Sequence, residues 1–301
     1  MNRKTQALVF AGALVLFVVL VVHAGVRGLL DNLVSARWAI VPSVLAWGFV
    51  YVCNTIAWRA LLDNAIPFGR AYVISVASFA INYVTPLVSL GGEPFRIATA
   101  SAWVGTPRAT ASVVGFRVIH TLGQLLFWLT AIPLAFVLLP RTPATTISLI
   151  ALAIAFACGS VALAALFRTN IRIFRRWPKL VAIHEQITAY RRGTILVAVG
   201  AEYVGRCLSM LEYLFIIRAL GLKIDYLTAF MIGAFSQFVT NATFFVPFEL
   251  GSKEGSMSLI FNLLGLPPDL GVYASIVSRI REMIWIAIGL GLVWVARRKR
   301  A

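Results

Sequence analysis

Hydrophobic positions in this chain fall into long, nearly unbroken runs rather than short alternating or two-faced patterns. Runs of membrane length lie near 6–26, 38–58, 109–139, 145–167, 194–217 and 270–296. A helix needs about 20 apolar residues to cross the hydrocarbon layer, where its backbone polar groups must be satisfied within the segment. Two further apolar regions, 71–104 and 226–266, are interrupted in the middle by proline and glycine. The first breaks from Pro86 through Gly91 and Gly92, the second from Pro247 to Gly251. The pattern predicts an all-α polytopic membrane protein with six full transmembrane helices and two re-entrant broken-helix hairpins.

Composition agrees with that reading. Of 301 residues, 60% are hydrophobic and 13% charged, with mean hydropathy +0.88, whereas a soluble domain carries roughly a quarter charged residues. A net charge of +16 would suit nucleic acid in a soluble protein. Here the basic residues gather beside apolar spans and no soluble domain is left to carry a binding groove, so nucleic acid is excluded as a partner.

The same basic residues orient the chain. Arg168, Arg172, Arg175, Arg176, Lys179, Arg191 and Arg192 crowd one loop against the single acid Glu185. Arg3 and Lys4 open the chain, and Arg297, Arg298, Lys299 and Arg300 close it. Cytoplasmic loops are enriched in lysine and arginine, which places all three clusters and both termini on the cytoplasmic side of a multi-pass protein of the cell (inner) membrane. The topology closes only if each interrupted region enters and leaves on one side. The Pro86 hairpin then enters from the cytoplasm and the Pro247 hairpin from the opposite face. No small-residue cleavage site follows the first apolar run, so a retained first helix is expected. The loop 168–193 interleaves Ile171, Phe174, Leu180, Val181, Ile183 and Ile187 with its cations. It reads as an amphipathic segment lying on the anionic leaflet. Cys53, Cys158 and Cys207 stand singly in apolar segments and read as small buried hydrophobes.

The two halves also echo one another. Arg59-Ala60-Leu61 recurs as Arg218-Ala219-Leu220, and Asn82 and Asn241 each precede a break. Pro86 is followed by Glu93 as Pro247 is by Glu254, and Ala111-Ser-Val-Val with Arg117 recurs as Ala274-Ser-Ile-Val with Arg279. Matches at offsets of 159, 161 and 163 in the same order indicate an internal repeat. The single domain 1–301 is thus read as repeat 1 (about 6–139) and repeat 2 (about 145–296), in inverted topology. Broken helices at matching positions of an inverted repeat build the mid-membrane sites of secondary transporters. The half-helix starting at Gly91-Gly92-Glu93 and its partner starting near Ser252, a candidate N-cap, would aim two positive dipole ends at one site for an anionic group.

Charges inside the bilayer cost about 2.5–3.5 kcal/mol each on insertion scales, so each is a candidate for function. Arg96, Arg117 and Arg279 suit bidentate contact with phosphate; they can equally pair with Glu93 and Glu254 to hold the hairpins. Those two acids either complement the helix dipoles or share a central role, and Lys253 stands with them and the three arginines as a substrate-binding candidate. Glu202 and Arg206, four residues apart, read as an internal pair. Arg279 can share a face with Glu282, and Arg281 with Glu282 reads as structural. His120 is a proton relay or a satisfied bundle residue, Asn82 and Asn241 would bond the freed backbone, and Glu249 adds an acid beside the second break. No catalytic constellation, metal-ligand spacing or cofactor motif appears.

Three stretches together carry a family resemblance: Asn82-x3-Pro86-x4-Gly-Gly-Glu-Pro-x-Arg96, then Val246-Pro-x-Glu-Leu-Gly-Ser-Lys-Glu-Gly255, then Ser278-Arg-Ile-Arg-Glu282. They resemble the transmembrane, flippase-like domain of lysylphosphatidylglycerol synthases over nearly the whole chain. The second motif of that family looks like Pro-Gly-x-[Ile/Leu]-Gly-x-x-Glu; Phe248 replaces its first glycine and Glu249 is an additional acid. In the full synthases a soluble aminoacyl-transferring domain follows the membrane part, and none follows Ala301. The resemblance therefore implies a stand-alone lipid translocator that is not itself an enzyme. Its implied partners are membrane phospholipids with anionic head groups, a separate lipid-modifying enzyme and further copies of itself. A secondary transporter of a small soluble anion, or a membrane-embedded head-group enzyme using Glu93 or Glu254 as base, stand as the alternatives.

Overall fold

A computed structural model describes residues 15, 17–23, 25–84, 91–139, 142, 146, 150, 152–154, 156–159, 190–243 and 246–298. Pro86, residues 168–189 of the basic loop, Arg3, Lys4, Lys299 and Arg300 lie outside the described residues. So do most of the spans expected at 6–26 and 145–167.

The described residues are helical throughout their ordered elements. In chain order these are α1 (Val26–Ala60), α2 (Phe68–Val84), α3 (Gly92–Val104), α4 (Thr106–Leu138), α5 (Arg192–Ser209), α6 (Leu211–Ala219), α7 (Tyr226–Ala242), a 3-10 turn (Pro247–Glu249), α8 (Ser252–Leu263) and α9 (Pro268–Arg298). Among the described residues three helical stretches are long and apolar enough to cross a membrane: Asp31–Ala60, Thr106–Leu138 and Arg192–Ala219. The apolar run at 270–296 forms α9, which is long enough but carries Arg279, Arg281 and Glu282 within it. The run at 194–217 is not one helix; a turn at Met210 separates α5 from α6.

Along α1 the usual arrangement of a soluble helix is inverted. Val34, Trp38, Val41, Leu45 and Phe49 face outward at helical spacing, with Trp38 75% exposed. The inward face carries Ala36, Ala39, Ser43, Ala46 and Ala57. Large apolar groups outside and small or polar groups inside suit a hydrocarbon surrounding, where close backbone contact rather than hydrophobic burial holds helices together. α1 packs on α5, α6, α2 and α9, and α9 in turn packs on α8 and α2. The largest apolar core joins α4, α6, α7, α8 and α9 through residues such as Phe127, Met210, Ile216, Ile232, Phe261 and Val277. A smaller one joins α1 to α2, α3 and α4 through Trp58, Leu62, Ile74, Ala100 and Ala109.

Both interrupted regions stop and restart as helices. α2 and α3 flank residues 85–90, and α7 and α8 flank the 3-10 turn. The N-terminus of α3 is pressed onto α2, so that a Cβ placed on Gly92 would overlap the backbone carbonyl of Ser78. Backbone cannot yield as a flexible side chain can. Gly92→Ala is therefore expected to destabilise the protein by about 1–3 kcal/mol, read as a lowered melting temperature in detergent; an unchanged melt would show that α3 does not rest on α2.

Candidate functional site

Where α3 and α8 begin, the chain encloses a cavity of about 480 Å³. Its wall draws on both interrupted regions, with Asn82, Gly92, Glu93 and Arg96 from the first and Asn241, Glu249 and Lys253 from the second. The remaining wall comes from α1, α4, α5 and α9, including Asn54, Arg117, His120, Gln124, Glu202, Arg206, Arg281 and Glu282. The size falls within the usual range of ligand sites, roughly 300–1,000 Å³, but the lining is unusually rich in charge.

Most of those charges are engaged with one another. At the start of α3, the Gly92 N–H donates to Asn82 Oδ1 at 2.6 Å, so Asn82 satisfies a freed backbone group. Glu93 accepts from the Arg117 guanidinium of α4, and both remain partly exposed, 26% and 44% respectively. Arg96 is buried between the rings of Trp58 and Phe116, each 4.8 Å from its guanidinium carbon. It makes no ion pair among the described residues, and its Nε is buried without a hydrogen-bond partner.

The second break repeats the acid–arginine pairing with a different cap. Gly251 takes φ +74°, and its N–H donates to Glu254 Oε2 at 2.8 Å. The cap is therefore Gly251 with Glu254, and the expectation of Ser252 as N-cap is corrected: Ser252 is already the first helical residue and its hydroxyl donates to the Glu249 carbonyl at 3.0 Å. Glu254 is fully buried and accepts from Arg279 Nε at 2.7 Å. Arg279 also donates to the carbonyls of Phe248 at 2.9 Å and Glu249 at 3.2 Å. Glu254 and Arg279 do not line the cavity. Asn241, unlike Asn82, bonds within its own helix, Nδ2 donating to the Gln237 carbonyl at 2.6 Å.

Phe248 and Glu249 both adopt left-handed backbone, φ +56° and +54°. That conformation costs a non-glycine residue about 1–2 kcal/mol, and it survives where surrounding contacts over-determine it. The three donations from Arg279 and Ser252 supply that restraint. The Phe248 ring lies 6.0 Å from that of Tyr83, across from the first interrupted region. Phe248→Val is expected to be less stable than Phe248→Gly by about 1–2 kcal/mol, since a β-branched residue is least tolerant of positive φ; equal melts would show that the turn relaxes.

Two further networks sit deeper. Glu202 Oε2 lies 2.7 Å from His120 Nδ1, and its Oε1 accepts from Asn54 Nδ2 at 2.6 Å. Arg206 donates to Gln124, to His120 Nε2 at 3.0 Å and to the His120 carbonyl at 3.1 Å. The direct Glu202–Arg206 pair expected from their spacing is thus replaced by a bridge through His120. Because a guanidinium only donates, His120 Nε2 accepts and Nδ1–H donates to Glu202. In the other network Arg281 grips Glu212 with two bonds of 3.0 and 2.7 Å while lying 3.9 Å over the Trp47 ring. Trp47 Nε1 donates to the same carboxylate at 2.6 Å. Glu282 accepts from Lys253 at 2.6 Å and from Tyr83 at 2.9 Å, so it pairs with Lys253 and not, as its spacing suggested, with Arg279. Glu212, Trp47, Asn54 and Tyr83 were not singled out in the sequence. Only Glu212 left a signal, as an acid inside the apolar run 194–217.

Among the described residues no group of three His, Cys, Asp or Glu side chains is arranged to hold a metal ion. The arrangement offers fixed charges and hydrogen bonds to a polar group that enters the cavity.

A model of the family described as the lysylphosphatidylglycerol synthase TM region matches residues 6–291. No curated protein and no solved structure matches the chain.

Proposed function

Because the chain belongs to the lysylphosphatidylglycerol synthase transmembrane-region family, we propose that it moves a phospholipid, anionic or modified in its head group, between the two leaflets. The reading is carried by one observation: both interrupted regions contribute charged side chains to a single cavity of about 480 Å³. On this reading the two regions are re-entrant hairpins of an inverted repeat, inserted from opposite faces, with both termini cytoplasmic. The head group crosses in the cavity while its acyl tails stay in hydrocarbon. The Glu93–Arg117 pair on the cavity wall is the exchangeable contact, since its partly exposed guanidinium can trade a carboxylate for a phosphate with little change in its own hydrogen bonding. The Glu254–Arg279 pair, whose acid is fully buried, holds the opposite hairpin fixed. Movement is downhill or driven by protons or potential, with no cofactor, and the protein is a transporter rather than an enzyme. A separate lipid-modifying enzyme would supply or consume its cargo, and self-association is compatible with the scheme.

Reconstitution into vesicles with head-group-labelled lipids tests this. The protein is expected to accelerate transbilayer movement, and Arg117→Gln to slow it by about tenfold or more, in line with loss of a charge-assisted contact. Uptake of a small radiolabelled anion without lipid movement would point instead to a soluble-solute transporter. Chemical turnover of the lipid by purified protein would point to an enzyme.

A further inference from the structure

The charges lining the cavity cancel in all but two places. Arg117 is engaged by Glu93, Lys253 by Glu282, and Arg281 by Glu212, while Arg206 and Glu202 are joined through His120. What remains is Arg96, which among the described residues lies against the faces of Trp58 and Phe116 and makes no direct ion pair, and Glu249. The Glu249 carboxylate faces the cavity, and among the described residues it makes no hydrogen bond or ion pair. One guanidinium without a direct ion pair therefore stands on the first interrupted region and one such carboxylate on the second, each within the wider field of the paired charges around it.

From this we infer that the cavity, with the Glu93–Arg117 pair closed as it stands here, selects a zwitterionic head group. Its phosphate is received on Arg96, before the exchangeable Arg117 takes part in movement, and its ammonium on Glu249. The inference rests on the lipid-transport reading and names the head-group class within it. A purely anionic head group would satisfy Arg96 and leave Glu249 repelled in a confined site; a purely cationic one would do the reverse. A group carrying both charges satisfies both walls, and selectivity built on repulsion of the wrong partner is stronger than attraction alone. Arg96 is preorganised for its part: a planar cation held between two rings keeps a fixed orientation on the cavity wall, from which its guanidinium can meet phosphate oxygens. Glu249 is preorganised by the left-handed turn that Arg279 and Ser252 clamp. Since the two charges belong to different interrupted regions, a zwitterion ties those regions together where a singly charged group would touch one.

The test is native mass spectrometry of the purified protein in detergent with an equimolar mixture of phosphatidylethanolamine and phosphatidylglycerol of identical acyl chains. Phosphatidylethanolamine is expected to be retained at least about tenfold over phosphatidylglycerol. Glu249→Gln should erase that ratio and Glu249→Lys invert it, while Arg96→Gln should weaken retention of both lipids. Melting curves check that each variant is folded, and Glu249→Gln, which keeps size and polarity, carries the test if the lysine variant does not fold. Equal retention, preference for phosphatidylglycerol, or no retained lipid would overturn the inference. Selective retention in a protein that moves no lipid between leaflets would instead sink the transport reading and leave the zwitterion site standing. Soluble glycerophosphoethanolamine displacing the lipid at comparable concentration would support the zwitterion site and assign it to a free solute; failure to displace supports the lipid.

Discussion

Glu212→Ala is expected to lower stability by about 3–5 kcal/mol, the range found when one partner of a buried ion pair is removed. The reason lies in what is left behind. Arg281 is 3% exposed and its two strongest bonds go to Glu212, which is itself 1% exposed. Without that carboxylate the guanidinium keeps only the Trp47 face and a longer, 3.5 Å approach to Glu282. Glu282 is already committed to Lys253 and Tyr83. The Trp47 indole N–H loses its acceptor in the same stroke. Denaturation in detergent, followed by tryptophan fluorescence, reads the loss. The double variant Glu212→Leu with Arg281→Met is expected to recover much of the stability, because apolar replacement of a whole buried pair avoids stranding a charge. If the single variant melted like the parent, α6 and α9 would not be joined by this pair.

The glycine and proline interruptions, the acids that follow them and the arginine on each succeeding helix were legible in the chain, because each depends on local chemistry. Backbone freed by a break needs a cap, and Glu93 and Glu254 stand within the first turn of a new helix, 24 and 25 residues before their arginines. The interior partners of Glu202, Glu212 and Glu282 were not legible. Asn54 is 148 residues from Glu202, Trp47 is 165 from Glu212, and Tyr83 is 199 from Glu282. Hydrophobic periodicity says which segments are helices but not which faces meet, and a polar residue in an apolar run looks alike whether it binds a ligand or a neighbour. The same limit explains the Glu202–Arg206 spacing: two residues on one face of α5 will pair unless a neighbouring helix inserts a better partner, and α4 inserts His120. The assignment of Ser252 missed by one residue because Gly251 takes a positive φ, which the identity of a serine beside it could not reveal. For the cavity, the sequence supplied the charged residues, but the state of Arg96 and Glu249 as the ones without a direct ion pair required every other pairing to be known.

Glu254→Ala is the other substitution with a large expected cost, about 3 kcal/mol, the low end for removing one partner of such a pair, since Arg279 is 14% exposed and keeps two carbonyl acceptors. Its consequences should be local in a way those of Glu212→Ala are not. Glu254 performs two tasks. Its Oε2 accepts from the Gly251 N–H that opens α8, and its Oε1 orients Arg279. Arg279 in turn holds the carbonyls of Phe248 and Glu249, so removing the carboxylate loosens the clamp on two left-handed residues that have no intrinsic preference for that shape. Hydrogen exchange is therefore expected to accelerate first at 248–251 and the first turn of α8, while amides of α6 and α9 around Glu212 and Arg281 keep their protection. Glu254→Gln keeps an acceptor for Gly251 but not the charge that orients Arg279, and should fall between parent and alanine variant. Because Glu254 does not line the cavity, any loss of head-group selectivity in these variants must pass through the position of Glu249. Exchange that rises uniformly across the protein, or selectivity that survives while residues 248–251 open, would show that the turn does not set the second charge of the site.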